Sequence, residues 1–198
     1  MSVATNADGR SLRASRTRSA IVNAHCALLS SGELTPSTRQ IAVRAGVSPR
    51  TLFLHFPNLQ ALFAATADTV LENVLAAAEP VDITQPLPAR AAAFLRGRFD
   101  LYGYITPFAL ASRVRERSAP PLRERIAQMS RVSIDNVAES FAPELAGLSP
   151  ADYEDTLVAL ETSVTWAAWY HLREELGLDA DVVHRILQRT VLALLEPR

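Results

Sequence analysis

Four histidines, one cysteine and 21 carboxylates are the side chains of this 198-residue chain that could carry acid–base, nucleophilic or metal chemistry. Their spacing argues against all three. Cys26 directly follows His25 on a stretch that reads as a helix, and adjacent helical residues point in different directions, so they do not make a nucleophile–base pair. Asp181 and His184 are three apart and share a helical face, but two ligands are too few for a metal centre. No HExxH run and no glycine-rich phosphate loop occurs in the sequence. The expectation is therefore not an enzyme, with no catalytic residue, no metal and no cofactor. His55 belongs to a different pattern, a short basic and aromatic run whose chemistry is that of hydrogen bonding and charge.

That run closes IAVRAGVSPRTLFLHF, residues 41–56. It reads as two short helices around a tight corner. Thr35–Pro36 reads as an N-cap with proline at the first helical position, which predicts a helix over about 36–45. Gly46 closes it, because glycine turns the chain there without steric cost. Ser48–Pro49 repeats the cap-plus-proline device and opens a helix to about Phe56. Ile41, Ala42, Val47, Leu52 and Phe56 face inward, against Ile21, Leu28 and Leu29 of a preceding helix. Ser48, Pro49, Arg50, Thr51 and His55 then face outward. Such a corner fits a helix-turn-helix, whose second helix lies in the DNA major groove.

The elements around the corner are all helical by period, so the fold class is all-α. Residues 1–14 read as a disordered or arm-like N-terminus, and a first helix runs from about Ser15 to Ser31, ended by Gly32. Asn58 caps a long helix reaching Glu79. The proline-bearing segment 80–88 follows, then helical blocks at about 89–104, 106–118, 121–141, 150–176 and 180–195. The division expected is an N-terminal three-helix DNA-binding domain at 15–60 and a C-terminal helical ligand-binding and dimerisation domain at 61–198. Charge divides similarly. Residues 1–66 hold seven arginines against two acids, a net +5, and residues 67–198 hold thirteen against nineteen, a net −6. A basic front on an acidic remainder points to a polyanionic partner. Apolar residues at 48% and charged residues at 21% are ordinary for a soluble globular protein. No apolar run is long enough for a membrane span and no secretory signal is read at the N-terminus, so no membrane partner is expected. A single cysteine makes no intrachain disulfide, and a cytoplasmic location is the expectation.

RSAIVNAHCALLSSG followed by TRQIAVRAGVSPRTLFLHFPNLQALF resembles the DNA-binding domain of TetR-family transcriptional regulators, over about residues 16–66. LETSVTWAAWYHLREELGLDADVVHRIL, 160–187, resembles the ligand-binding and dimerisation domain of one branch of that family. The resemblance implies DNA contacts at Ser37 and Thr38, and at Ser48, Pro49, Arg50, Thr51, Phe53 and His55. Arg50 is the choice for base reading, Thr51 for a thymine methyl, and Ser37, Ser48 and His55 for phosphate. Core packing is the alternative for Phe53, and capping or solvation for His55. The family usually has Tyr in place of Phe53 and Lys in place of Leu59. Two phosphate contacts are thus missing, and Arg10, Arg13, Arg16 and Arg18 are either a compensating arm toward the minor groove or an inert tail. Arg39 and Arg44 read as a solvated face.

Aromatic residues gather in the second domain, densest in FDLYGYITPF. Phe99, Tyr102, Tyr104, Phe108, Met129, Trp166 and Tyr170 are the expected lining of a small-molecule site, against the alternative of ordinary core. Arg96, Arg98, Arg113 and Arg115 read as exposed, or as partners of an acidic ligand. Leu157, Leu160, Val164 and Ala168, with Val183, Ile186, Leu187, Val191 and Leu194, recur at helical spacing and are expected to form a homodimer through the last two helical blocks. The reading is a ligand-responsive regulator, a repressor by family default, on a palindromic double-stranded DNA operator, released by a small apolar or aromatic effector. The alternative is a helical protein-interaction or small-molecule-binding module without DNA activity.

Overall fold

The computed structural model describes residues 4–115 and 120–196. They are helical with no strand among them, as the period requires. In chain order the helices are α1 (Ala4–Ser30), α2 (Thr38–Arg44), α3 (Pro49–His55), α4 (Leu59–Ala77) and α5 (Leu87–Arg115). Then come α6 (Pro120–Ser140), α7 (Ala142–Leu145), α8 (Pro150–Ser163), α9 (Trp166–Tyr170) with a π-helical turn at His171–Glu175, and α10 (Ala180–Leu195). The chain forms two compact units. One comprises described residues of 1–73 and 107–126, the other those of 74–106 and 127–196.

In the first unit, Ile21 and Val22 of α1, Ile41 and Ala42 of α2, Leu52 of α3, Phe56, and Leu62 and Ala65 of α4 form one buried cluster. Leu29 is buried as well, while Val47, Leu28 and Leu59 pack on the cluster's edge. Gly46 adopts φ +68°, the left-handed conformation that ends α2, and its neighbour Val47 donates its N–H to Ala42 O at 3.0 Å. Asn58 Oδ1 accepts from Ala61 N at 2.8 Å, the cap expected for α4. His25 is buried, with Nδ1 2.7 Å from Thr66 Oγ1 and its ring edge-on to Phe63, which leaves it no part in surface chemistry. Arg125 Nε donates to Asp68.

Two expectations for this unit are corrected. Helix α1 begins at Ala4, not near Ser15, so the described part of 1–14 is not an irregular arm. Alanine, leucine and arginine there are good helix formers. Arg13 Nε also bonds back to Gly9 O at 3.0 Å, and Thr17 Oγ1 to Arg13 O at 3.0 Å. The N-cap of α2 is Ser37, not Thr35. Ser37 Oγ accepts from Gln40 N while Gln40 Oε1 accepts from Ser37 N at 2.8 Å, a reciprocal capping box that the single Thr35 hydroxyl cannot match. Pro36 is buried just ahead of it.

In the second unit a polar network joins three helices. Arg98 of α5 is only 6% exposed, not a surface residue as expected. It donates to Ser133 Oγ and O of α6 at 2.5 and 3.0 Å and to Tyr102 Oη at 3.3 Å, and its guanidinium lies 4.8 Å from the Phe94 ring centre. Ser133 Oγ donates onward to Glu161 of α8 at 2.7 Å. Arg98 and Glu161 approach only to 3.7 Å, so their attraction is Coulombic without a direct hydrogen bond. Burial accordingly pushes the Glu161 carboxyl above its ordinary value, with the Ser133 bond and Arg98 opposing. Arg90, also buried, donates to Glu144 and to Ile83 O.

One break in this unit is not announced by helical period. The block expected at 150–176 divides at Val164, and Thr165 becomes the N-cap of α9, accepting from Ala168 N. A helix end frees carbonyls, and Tyr102 Oη donates to Val164 O. Conversely, α5 passes through Pro107 where a stop was expected. Proline deprives only the carbonyl four residues back of its donor, and that residue is Gly103, which lacks the Cβ that would resist local adjustment.

Two outcomes follow. Gly46→Ala places a Cβ on a left-handed residue and should lower unfolding stability by about 1–2 kcal/mol in urea titration. Glu161 has a raised folded pKa, so the stability its protonated form adds is complete below 4.5 and is lost as pH rises through the elevated value. The stability of the native protein minus that of Glu161→Gln should fall across that window and stay level above it. A level difference throughout would show that burial does not raise Glu161.

Candidate nucleic-acid interface

Helix α3 is held from below and open above. Leu52 and Phe56, four apart, are buried in the cluster against α1 and α2. Ser48, Pro49, Arg50, Phe53 and Leu54 are exposed, and Thr51 and His55 are half-buried at the flanks. On α2, Ser37 is exposed and Thr38 half-buried. The residues expected to meet DNA are thus brought to the outer side of two short helices.

Several of these side chains have structural work as well. Ser48 is the N-cap of α3. Its Oγ accepts from Thr51 N at 3.0 Å and lies 2.9 Å from Thr51 Oγ1, which ties both hydroxyls together. Ser37 is the corresponding cap on α2. Arg50 makes no ion pair or hydrogen bond among the described residues and is an exposed cation in the first turn of α3. Phe53 is 48% exposed, which removes the core alternative for it. Arg18 stacks on the Phe56 ring at 4.6 Å, binding the middle of α1 to the end of α3. The side chain of Arg10 lies outside the described residues. Leu54, 75% exposed, is a residue the sequence reading does not single out, although its place one turn after Arg50 was visible there.

The residues expected around an effector fall as follows. In the second unit Phe99 and Tyr102 pack with Trp169, at ring-centre distances of 6.3 and 5.7 Å, and His184 stands edge-on to Phe99 at 5.7 Å. His184 Nε2 lies 3.3 Å from Ala92 O. Trp166 and Tyr170 pair at 4.9 Å, and Trp166 Nε1 donates to Thr106 Oγ1 at 3.0 Å. Burial pushes the Tyr102 phenol above its usual value despite Arg98 beside it. Met129 is half-buried, Tyr104 is exposed, and Phe108 is buried in the first unit. Arg115 has a side chain outside the described residues.

Helix α10 divides the residues expected at a dimer contact. Val183, Leu187 and Val191 are buried within their own chain, as are Leu160 and Val164. Ile186 and Leu194 instead line an open groove with Arg189, Thr190 and Ala193.

A basic helix-turn-helix set on an all-α chain is the class that these features define. Residues 35–66 match the family model of the bacterial regulatory proteins of the tetR family. A crystal structure of a transcriptional regulator from Rhodococcus sp. Rha1 superposes with a TM-score of 0.63, covering 92% of this chain and 95% of that one at 19% identity, a likeness of fold. None of the curated proteins matches the chain. The resemblance to TetR-family transcriptional regulators is borne out over residues 35–66, and the likeness of fold extends over most of the chain. Among the described residues no helix is long and apolar enough to cross a membrane.

The cap on α3 is separable from its surface. Ser48→Ala should cost about 1 kcal/mol of stability in urea denaturation, and faster amide exchange should be confined to the first turn of α3.

Proposed function

We propose that the protein is a repressor that binds a palindromic or near-palindromic operator as a homodimer and leaves it when a small apolar or aromatic effector binds. The observation that carries this reading is α3 itself. It is a short helix anchored through Leu52 and Phe56, with Arg50 exposed and unengaged in its first turn. Arg50 reads a guanine through its two-pronged guanidinium. Thr51 and Phe53 supply apolar contact. Ser37, Thr38, Ser48, Pro49 and His55 seat the helices against the backbone.

The homodimer forms through α8 and α10, whose outward residues include Val158, Ile186 and Leu194. A twofold axis then presents two copies of α3 to half-sites about 34–36 Å apart, or a multiple of that. The effector site is placed among the aromatic residues of the second unit, with Phe99, Trp166 and Tyr170 at its wall and Tyr104 and Met129 at its margin. Release requires that the effector bind one arrangement of the dimer more tightly than the other. The location is cytoplasmic, where both operator and effector are met.

Selection of bound sequences from random DNA by the full-length protein tests the reading. Enrichment of a two-part symmetric site is the expected result. Affinity for that site should fall with salt at a log–log slope of about −0.9 per neutralised phosphate. Arg50→Ala should cost about 1–3 kcal/mol on the selected site and far less on random DNA. Equal loss on both would make Arg50 a phosphate contact, and salt-independent binding or none would remove the DNA reading altogether.

A further inference from the structure

Leu54 and Phe53 are large apolar side chains on the outside of α3, 75% and 48% exposed, with the core already filled by Leu52 and Phe56. A scattered exposed leucine needs no explanation. These two are not scattered. Leu54 stands four residues and Phe53 three residues after Arg50, so the three form one strip along the helix. The strip is continuous with the candidate interface and begins at its unengaged cation, in the first turn of α3. Neither side chain has an atom able to hydrogen-bond a phosphate oxygen or a base edge.

Given the DNA reading above, on which this rests, the chemistry of the groove selects the partner. Base edges in the major groove present donors, acceptors and one apolar group, the C5 methyl of thymine. We propose that Leu54, flanked by Phe53, packs on thymine methyl groups and makes the operator half-site a guanine followed or preceded closely by thymine. Four residues of helix rise cover roughly 6 Å, close to two base steps of about 3.4 Å, so the methyl-bearing thymine lies within about two base pairs of the guanine read by Arg50. The unit's net positive front draws the duplex in without regard to sequence, and the apolar strip then rewards the sequences that cover it.

The test uses the full-length protein and its selected operator. Each thymine of a half-site is replaced in turn by deoxyuridine, which deletes the methyl and nothing else. The native protein should lose affinity roughly fourfold per methyl covered, at one or two positions only. Leu54→Ala should bind the thymine operator more weakly by a similar factor and become indifferent to the deoxyuridine exchange. Unchanged thermal unfolding of that variant, expected for an exposed residue, assigns the loss to the interface. Selective operator binding that ignores every deoxyuridine, or a Leu54→Ala variant as methyl-sensitive as the native protein, overturns this inference alone. A strip that instead buries against a second copy or another protein would give that methyl-indifferent result. Failure to enrich any site, with no salt dependence, overturns the DNA reading and this inference together.

Discussion

The orientation of α3 depends on the burial of two side chains. A seven-residue helix does not persist in water by itself, because nucleation costs more than so few hydrogen bonds return. Leu52 and Phe56 are both essentially inaccessible, and each contributes about 1.5–3 kcal/mol on leaving water. Being four apart, they also fix which side of the helix faces down. Arg50, Phe53 and Leu54 face up because 52 and 56 cannot. Gly46 sets where α3 starts relative to α2, Ser48 holds its first turn, and Arg18 covers the ring of Phe56.

The second unit uses a different constraint. Its helices are specified by polar groups that must be satisfied where water is absent. Arg98, Ser133, Tyr102 and Glu161 span α5, α6 and α8 through a chain of donors and acceptors, ending on the carbonyl freed at Val164. A buried charge left without partners is far more costly than one held, so the network penalises any sliding of these helices against one another.

What could be read from the sequence divides along the same line. The turns at Gly32 and Gly46, and the caps at Ser48 and Asn58, are decided within four residues, and each stands where local chemistry puts it. The face of α3 was legible because 52 and 56 are apolar at helical spacing. Thr35 reads as a cap from the proline after it, whereas Ser37 gains its advantage from the reciprocal bond with Gln40. The break after Ser163 has a local cap in Thr165, but the partner of its freed carbonyl, Tyr102, lies far away in sequence. The burial of Arg98 was hidden for the same reason, since an arginine on an apolar helix looks solvated until its partners on other helices are known. The α10 pattern showed which residues are apolar but not which of them face their own chain, since Val183 and Ile186 differ only in what lies opposite.

The first unit draws on two separate stretches of chain, the second of which begins at Pro107 inside α5 and continues into α6. Asp68 finds its arginine there, at Arg125. A fragment ending between α4 and α5 would therefore leave out the second stretch of this unit, and Arg125 with it. Transplanting the first unit onto another body means carrying both stretches, not one continuous segment.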